Sequence, residues 1–221
     1  MIYGVDLFVI INPIKNILVL APHTDDGEFG CGATIARYVE EGARVIYAAF
    51  SAAEQSVLPH LPRDILRTEV RQATSVLGIA DKDCLVFDFD VRYFPEQRQR
   101  ILDKMIELQK EYRPDMVFLP SINDTHQDHK TIAEEGFRAF KRTTMLGYEV
   151  PWNNLDFRTS CFFEISEKFL LKKINALEKY QSQKHRNYAN EEFIRSLALT
   201  RGVQIGKRYA EAFEVVRWVI S

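Results

Sequence analysis

The chain has 221 residues, 46% of them hydrophobic and 27% charged, with a formal net charge of −2. That length suits one α/β domain with a sizeable core, taken here as a single domain over 1–221, and leaves little room for a second. Lysines and arginines scattered among a similar number of acids argue against nucleic acid as partner, and no apolar run approaches the roughly 20 residues of a membrane span.

Three widely spaced cysteines, Cys31, Cys84 and Cys161, make neither a disulfide framework nor a metal knuckle. Together with a start that lacks a signal peptide's basic opening and carries Asp6 within its apolar region, they predict a reducing, cytoplasmic setting.

Leu7 to Ile11 reads as a short edge strand stopped by Asn12-Pro13. Ile17 to Ala21, Arg44 to Phe50, Cys84 to Phe89 and Met116 to Leu119 are short apolar runs, the pattern of strands covered on both faces. Between them lie amphipathic segments. Leu66, Val70, Ala73 and Leu77 share one helical face ahead of Gly78, and Ile101, Met105, Leu108 and Tyr112 repeat that spacing ahead of Pro114. Such alternation predicts βαβ units, and hence an α/β fold of Rossmann-like, doubly wound type: a mostly parallel sheet with helices on both faces. In the last third, Gly147 to Trp152, Cys161 to Ile165 and Ala212 to Ile220 read as strands, and Glu167 to Ser182 and Asn190 to Arg201 as helices, wrapping the sheet. Ser51 to Pro62, with two prolines, reads as a surface loop long enough to cover a site.

In open α/β sheets ligands bind at the carboxyl ends of the strands. The first strand delivers His23-Thr24-Asp25-Asp26 there, and Met116 to Leu119 delivers "SINDTHQDH", with Asp124, His126, Asp128 and His129. His23, Asp26 and His129 make a set of two imidazoles and a carboxylate, which suits Zn2+ or another divalent metal and leaves positions for water and substrate. Asp25, beside Asp26 but directed elsewhere, is placed to take a proton from a metal-bound water. Asp124 and Asp128 read as residues that orient a ligand. His126 and His129, three apart, share a face if a helix starts here.

Alone, an Asp-Asp pair after a strand is more often a helix cap, and an HxxH pair more often surface; their joint placement at two strand ends favours a metal site. Non-haem iron centres use the same ligand types, but their HxD spacing along one strand is absent, so hydrolysis is favoured over oxygen chemistry. "GCG" at 30–32 lacks the third glycine of a dinucleotide fingerprint, since position 35 is Ile35. Gly30 and Gly32 are expected to let the helix approach the sheet, with Cys31 as a small buried filler.

With these residues in view, the chain resembles the LmbE-like or PIG-L family of metal-dependent N-deacetylases. "APHTDDGEFGCGATI" at 21–35 is similar to that family's "AHPDD(x)E(x)GxGGTI" signature and "DTHQDH" at 124–129 to its "HPDH" motif, with weaker agreement along nearly the whole chain. The departures are Thr24 and Gln127 for prolines and Ala33 for a glycine; none removes a ligand.

The resemblance implies that His23, Asp26 and His129 hold zinc, that Asp25 is the general base and that His126 stabilises the oxyanion. Whether His126 is neutral or charged stays open: a helix N-terminus favours neutral imidazole, while Asp124 or Asp128 favours the charged form. It also implies that Arg67 contacts substrate hydroxyls, and that the substrate is an N-acetylglucosamine-type sugar or glycoconjugate. Tyr180, Ser182 and Gln183 read as helix-end packing, His60 and His185 as surface, and Glu28 as a group that caps or orients the metal loop. The loop at 51–62 and Tyr148 to Arg158 are expected to shape the aglycone pocket. The alternatives are an amidohydrolase of a non-sugar amide or thiol conjugate, a carbohydrate-binding homologue without turnover, Fe2+ or another divalent ion in place of zinc, and a homo-oligomer.

Overall fold

The computed structural model describes residues 14–220, so the edge strand expected at 7–11 lies outside the described residues. The elements run β1 (Asn16–Ala21), α1 (Asp26–Glu40), β2 (Arg44–Ala49), α2 (Ile65–Leu77), β3 (Cys84–Val86), α3 (Arg98–Tyr112), β4 (Met116–Pro120), α4 (Gln127–Ala139), β5 (Thr144–Tyr148), β6 (Cys161–Glu164), α5 (Glu167–Leu177), α6 (Glu191–Val203) and β7 (Ala210–Arg217). Strand order is β3-β2-β1-β4-β5-β7-β6, parallel from β3 to β5, with β7 antiparallel to both neighbours.

Successive residues of a strand point to opposite faces, and both faces here are covered. Ile17, Val19 and Ala21 of β1 face the core built with α1, α2 and α5, whereas Leu18 and Leu20 face the one built with α3 and α4. All five are fully buried, each of the larger side chains stabilising the fold by about 1.5–3 kcal/mol, which is why the strand reads as an unbroken apolar run. The helices obey the same rule: Leu66, Val70, Ala73 and Leu77 are the buried stripe of α2, which stops at Gly78 with φ 93°. The helix over 98–112 stops instead at Arg113, left-handed at φ 44°, directly before Pro114.

Several boundaries differ from the sequence expectation for identifiable reasons. β3 ends at Val86 because β2, its partner, ends at Ala49; Phe87 and Phe89 are apolar because they pack around Phe50, with ring centroids 5.5 and 5.8 Å away. The strand expected at 147–152 is β5 at 144–148, and Trp152 beyond it lies in a turn, stacked on Tyr188 at 3.7 Å. α5 stops at Leu177 rather than 182, because the buried Glu69 carboxylate takes both the Ser182 N–H (3.0 Å) and its hydroxyl (2.5 Å). β7 begins two residues earlier than expected and ends at Arg217, leaving Trp218 and Ile220 exposed. The last third therefore extends the sheet through β5, β7 and β6 rather than merely wrapping it.

The chain order reverses between β1 and β4, which are direct neighbours. That is the switch point of a doubly wound sheet, where a crevice opens beyond the strand ends.

Candidate metal centre and catalytic cavity

Both polar motifs leave the sheet at this switch point. β1 ends at Ala21, and Pro22 carries the chain into His23 and on to α1, with Asp25 at the N-cap position. Asp25 does not cap: its carboxylate takes none of the helix's N–H groups, so the bland reading of this acid is not realised. β4 ends at Pro120, a short loop follows, and His126 is the N-cap of α4, with Nδ1 accepting the Asp128 N–H at 3.2 Å. His126 has an extended backbone rather than lying on the helix, yet its ring centroid still lies 4.8 Å from that of His129.

Three ligand-type atoms converge. His23 Nδ1 lies 3.1 Å from Asp26 Oδ2, Asp26 Oδ2 lies 3.2 Å from His129 Nε2, and the two nitrogens are 3.3 Å apart. A tetrahedral ion with bonds of about 2.0–2.1 Å has ligand-to-ligand edges of about 3.3 Å, so the triangle fits a zinc-sized cation. His126 also reaches this centre, but more loosely: one nitrogen from each of the three histidines fits within a 4.8 Å span.

Each converging imidazole is held from behind by a carboxylate. His23 Nε2 lies 2.9 Å from Asp128 Oδ2, and His129 Nδ1 lies 2.7 Å from Asp124 Oδ2. With the far nitrogen donating to an acid, the near one is turned toward the shared centre, the usual support for a metal-bound histidine. Asp124 also accepts the His126 N–H at 2.8 Å, tying both histidines of the second motif to one buried side chain.

Charge follows geometry. Burial alone pushes His23 and His129 down, yet Asp26 together with Asp128 and Asp124 outweighs it, raising them to about 9 and about 10. Burial likewise opposes ionisation of Asp26, but the two imidazoles win and hold its carboxyl well below the usual range. Asp25 is raised to about 6 by burial and by Asp26, against the opposing charges of His23 and Arg186. Burial, then the charges of His129 and His23, lower His126, which favours the neutral ring. With Nδ1 accepting from Asp128, a neutral His126 carries its proton on Nε2.

Glu28 is fully buried below the loop. It accepts hydrogen bonds from Tyr47 of β2 and from Tyr180 (2.9 Å), and both phenols also reach the Thr24 carbonyl, at 2.8 and 2.6 Å. Tyr180 is thus a support of the metal loop as well as packing. Gly30 passes so close to the sheet that a Cβ would lie 2.2 Å from the Tyr148 ring, whereas Gly32 faces Lys173 of α5 rather than the sheet. Cys31 is fully buried where α1 kinks, and beyond the kink the Ala33 and Thr34 N–H groups donate to Glu211 at 3.2 and 2.7 Å.

A cavity of about 360 Å³ opens over these groups, lined by His23, Asp25, Asp26, His126 and His129 together with Ala53, Ser56, Arg92, Trp152, Asn153, Gln183, Arg186 and Tyr188. The loop at 51–62 and the stretch at 148–158 each contribute lining residues, as expected of their position. Arg67 does not line it: its guanidinium is engaged by Glu54 at 2.8 Å and by Asp88. His60 and His185 are exposed. Arg92, Arg186 and Tyr188 were not visible as site residues, because they sit in irregular segments without periodicity; the one available signal was that Arg92 follows β3, whose carboxyl end opens on the same edge of the sheet.

Among solved structures, an N,N'-diacetylchitobiose deacetylase from Pyrococcus horikoshii superposes with a TM-score of 0.78 at 22% identity, covering 96% of this chain and 87% of the other, a likeness of fold. In sequence, the chain is 24% identical over 230 positions to the diacetylchitobiose deacetylase of Thermococcus kodakarensis, covering 93% of this chain and 84% of the relative. It is 28% identical over 176 residues to the uncharacterized deacetylase YaiS of Escherichia coli K12, covering 77% and 93%. Residues 18–140, more than half of the chain and spanning both polar motifs, match the PIG-L family, described as GlcNAc-PI de-N-acetylase, and the chain belongs to that family.

Proposed function

We propose that the protein is a zinc-dependent N-deacetylase that hydrolyses the acetamide of an N-acetylglucosamine-type sugar or glycoconjugate. The observation that carries this reading is the triangle of His23 Nδ1, Asp26 Oδ2 and His129 Nε2, with a fourth side chain, Asp25, beside it and free of any capping bond. Those three atoms would hold the ion. When bound, a divalent cation polarises the acetamide carbonyl and lowers the pKa of water toward roughly 7.

The remaining steps fall to the chain's own residues. Asp25, raised to about 6, stays ionised at neutral pH yet basic enough to accept the proton of the attacking water. It returns that proton to the departing amine as the C–N bond breaks, leaving acetate and the free amino sugar. His126 presents Nε2–H to the oxyanion of the tetrahedral intermediate, a role worth roughly 3 kcal/mol of barrier. Asp128 and Asp124 hold His23 and His129 in register. Arg67 keeps its assignment to sugar hydroxyls on the family resemblance, with Glu54 and Asp88 setting where its guanidinium sits. A single domain and a reducing, cytoplasmic compartment complete the reading; the free thiols Cys31, Cys84 and Cys161 support the latter.

Acetate release from a panel of N-acetylated sugars, with and without chelator, tests the assignment. The expected result is chelator-sensitive release restored by zinc. Release unaffected by stripping the metal, or confined to non-sugar amides, contradicts it.

A further inference from the structure

Two arginines line the catalytic cavity with no carboxylate at ion-pair distance among the described residues, the Arg186 charge reaching Asp25 only from farther off. Arg67 is paired with Glu54 and Asp88, but the Arg92 guanidinium bonds Ser56 Oγ, at 3.2 Å, and Arg186 has neutral partners, Gln183 Oε1 on Nε at 2.5 Å and the Tyr188 hydroxyl. Both arginines therefore keep unpaired N–H groups at the cavity wall.

Neither is casually placed. The Arg186 guanidinium lies 5.8 Å from the centre of the Tyr188 ring, within cation–π range, and Tyr188 stacks flat on Trp152, 3.7 Å away at 9°, so an aromatic pair backs the charge. Arg92 has φ 73°, a left-handed backbone that non-glycine residues seldom adopt. That conformation is held by the catalytic elements themselves: Asp128 accepts the Arg92 N–H at 2.7 Å while bonding His23, and Gln127 donates to the Arg92 carbonyl at 3.1 Å. Of three non-glycine residues with positive φ among the described residues, two, Ala53 and Arg92, line this cavity. Backbone strain maintained in that way belongs to binding sites more often than to packing.

We propose that Arg92 and Arg186 recognise an anionic group on the substrate, a carboxylate or a phosphate attached to the N-acetylated sugar, so that the natural substrate is an acidic glycoconjugate. This rests on the deacetylase reading and narrows its substrate class. Guanidinium donors match the paired oxygens of either anion, and such charge-assisted bonds outweigh neutral ones.

The test compares acetate release from three matched substrates: methyl N-acetylglucosaminide, N-acetylglucosamine 1-phosphate and the N-acetylglucosaminyl ether of glycolate. Wild type is expected to favour one or both anions by about tenfold or more in kcat/KM, with the preference shrinking as salt rises. In Arg92→Asn, whose new side chain tolerates the left-handed backbone, and in Arg186→Gln, the anion-to-neutral ratio falls toward one. Which anion is favoured identifies the group.

Calorimetric binding of the deacetylated compounds, glucosamine 1-phosphate against methyl glucosaminide, repeats the comparison without turnover. An arginine-dependent preference in binding with no acetate released from any sugar upholds the anion site and removes the deacetylase reading. Equal rates on all three sugars, a preference that survives both substitutions, or an equal loss on neutral and anionic substrates overturns the proposal while the deacetylase reading stands.

Discussion

His23 and His129 come from strand ends separated by more than a hundred residues of chain, yet turn ring nitrogens to within 3.3 Å of each other across Asp26. Without a cation between them, two imidazoles at that distance sit beside a carboxylate that draws a proton onto each. Their values of about 9 and about 10 follow, with burial opposing and the acids prevailing.

Proton competition for the metal is the first consequence. At neutral pH the metal-free protein carries protons that the ion displaces, so zinc binding releases about two protons and tightens as pH rises. Calorimetry in buffers of differing ionisation enthalpy reads the number directly; release of none contradicts the geometry. The sign for metal-free stability is opposite. Folded values above the ordinary 6.5 mean the stabilisation is fully present below that pH and is lost as pH climbs through 9 to 10. Melting of chelated protein is expected to fall across that range.

The acids behind the ligands give the second prediction. Asp128→Asn replaces the acceptor at His23 Nε2 with a neutral amide and is expected to weaken zinc affinity about 10- to 100-fold. A competitive chelator titration measures it, and unchanged affinity with intact folding contradicts the role given to Asp128.

Glu28 gives a third prediction, on stability. Burial raises it to about 8, against the opposing phenol bonds of Tyr47 and Tyr180, so it is largely protonated at neutral pH and close in character to glutamine. Glu28→Gln is expected to cost under about 1 kcal/mol, whereas Glu28→Ala empties a fully buried polar site, leaves Tyr47 and Tyr180 only the Thr24 carbonyl to share, and costs about 2–3 kcal/mol. Since the folded carboxyl holds its proton more tightly than the unfolded one, this residue's contribution declines as pH rises from about 4.5 to about 8. Urea melts of wild type and Glu28→Gln across that range are expected to show a decline only in the former from this site.

Close approach of α1 to the sheet predicts a fourth effect. Tyr148 is fully buried with its hydroxyl bonded to the Leu20 carbonyl at 3.0 Å, so it cannot swing away from a Cβ at position 30. Gly30→Ala is expected to destabilise the protein by about 2–3 kcal/mol in denaturant melts, and a neutral result contradicts the packing.

Much of this was legible in the residues because burial on both sheet faces writes strands as unbroken apolar runs and places polar motifs at their ends. His23, Asp26 and His129 could be grouped before their contacts were seen, since β1 and β4 had to share an edge. Boundaries failed where tertiary partners decide them. Phe87 and Phe89 look like strand but pack on Phe50, and α5 stops early because Glu69, distant in sequence, claims Ser182. Arg92 and Arg186 were hidden because a loop residue carries no periodic signal, and what distinguishes them is that no carboxylate among the described residues stands at ion-pair distance. The engagement of Arg67 by Glu54 and Asp88 was equally invisible, as it joins three separate segments.

Anomalous diffraction at the zinc edge, from crystals of the zinc-loaded protein, is the most direct test of the metal centre. The account predicts one ion bonded at about 2.0–2.2 Å to His23 Nδ1, Asp26 Oδ2 and His129 Nε2, with the Asp25 carboxylate beside it but not coordinating. An ion bound elsewhere, or held by His126 with Asp26 turned away, contradicts it.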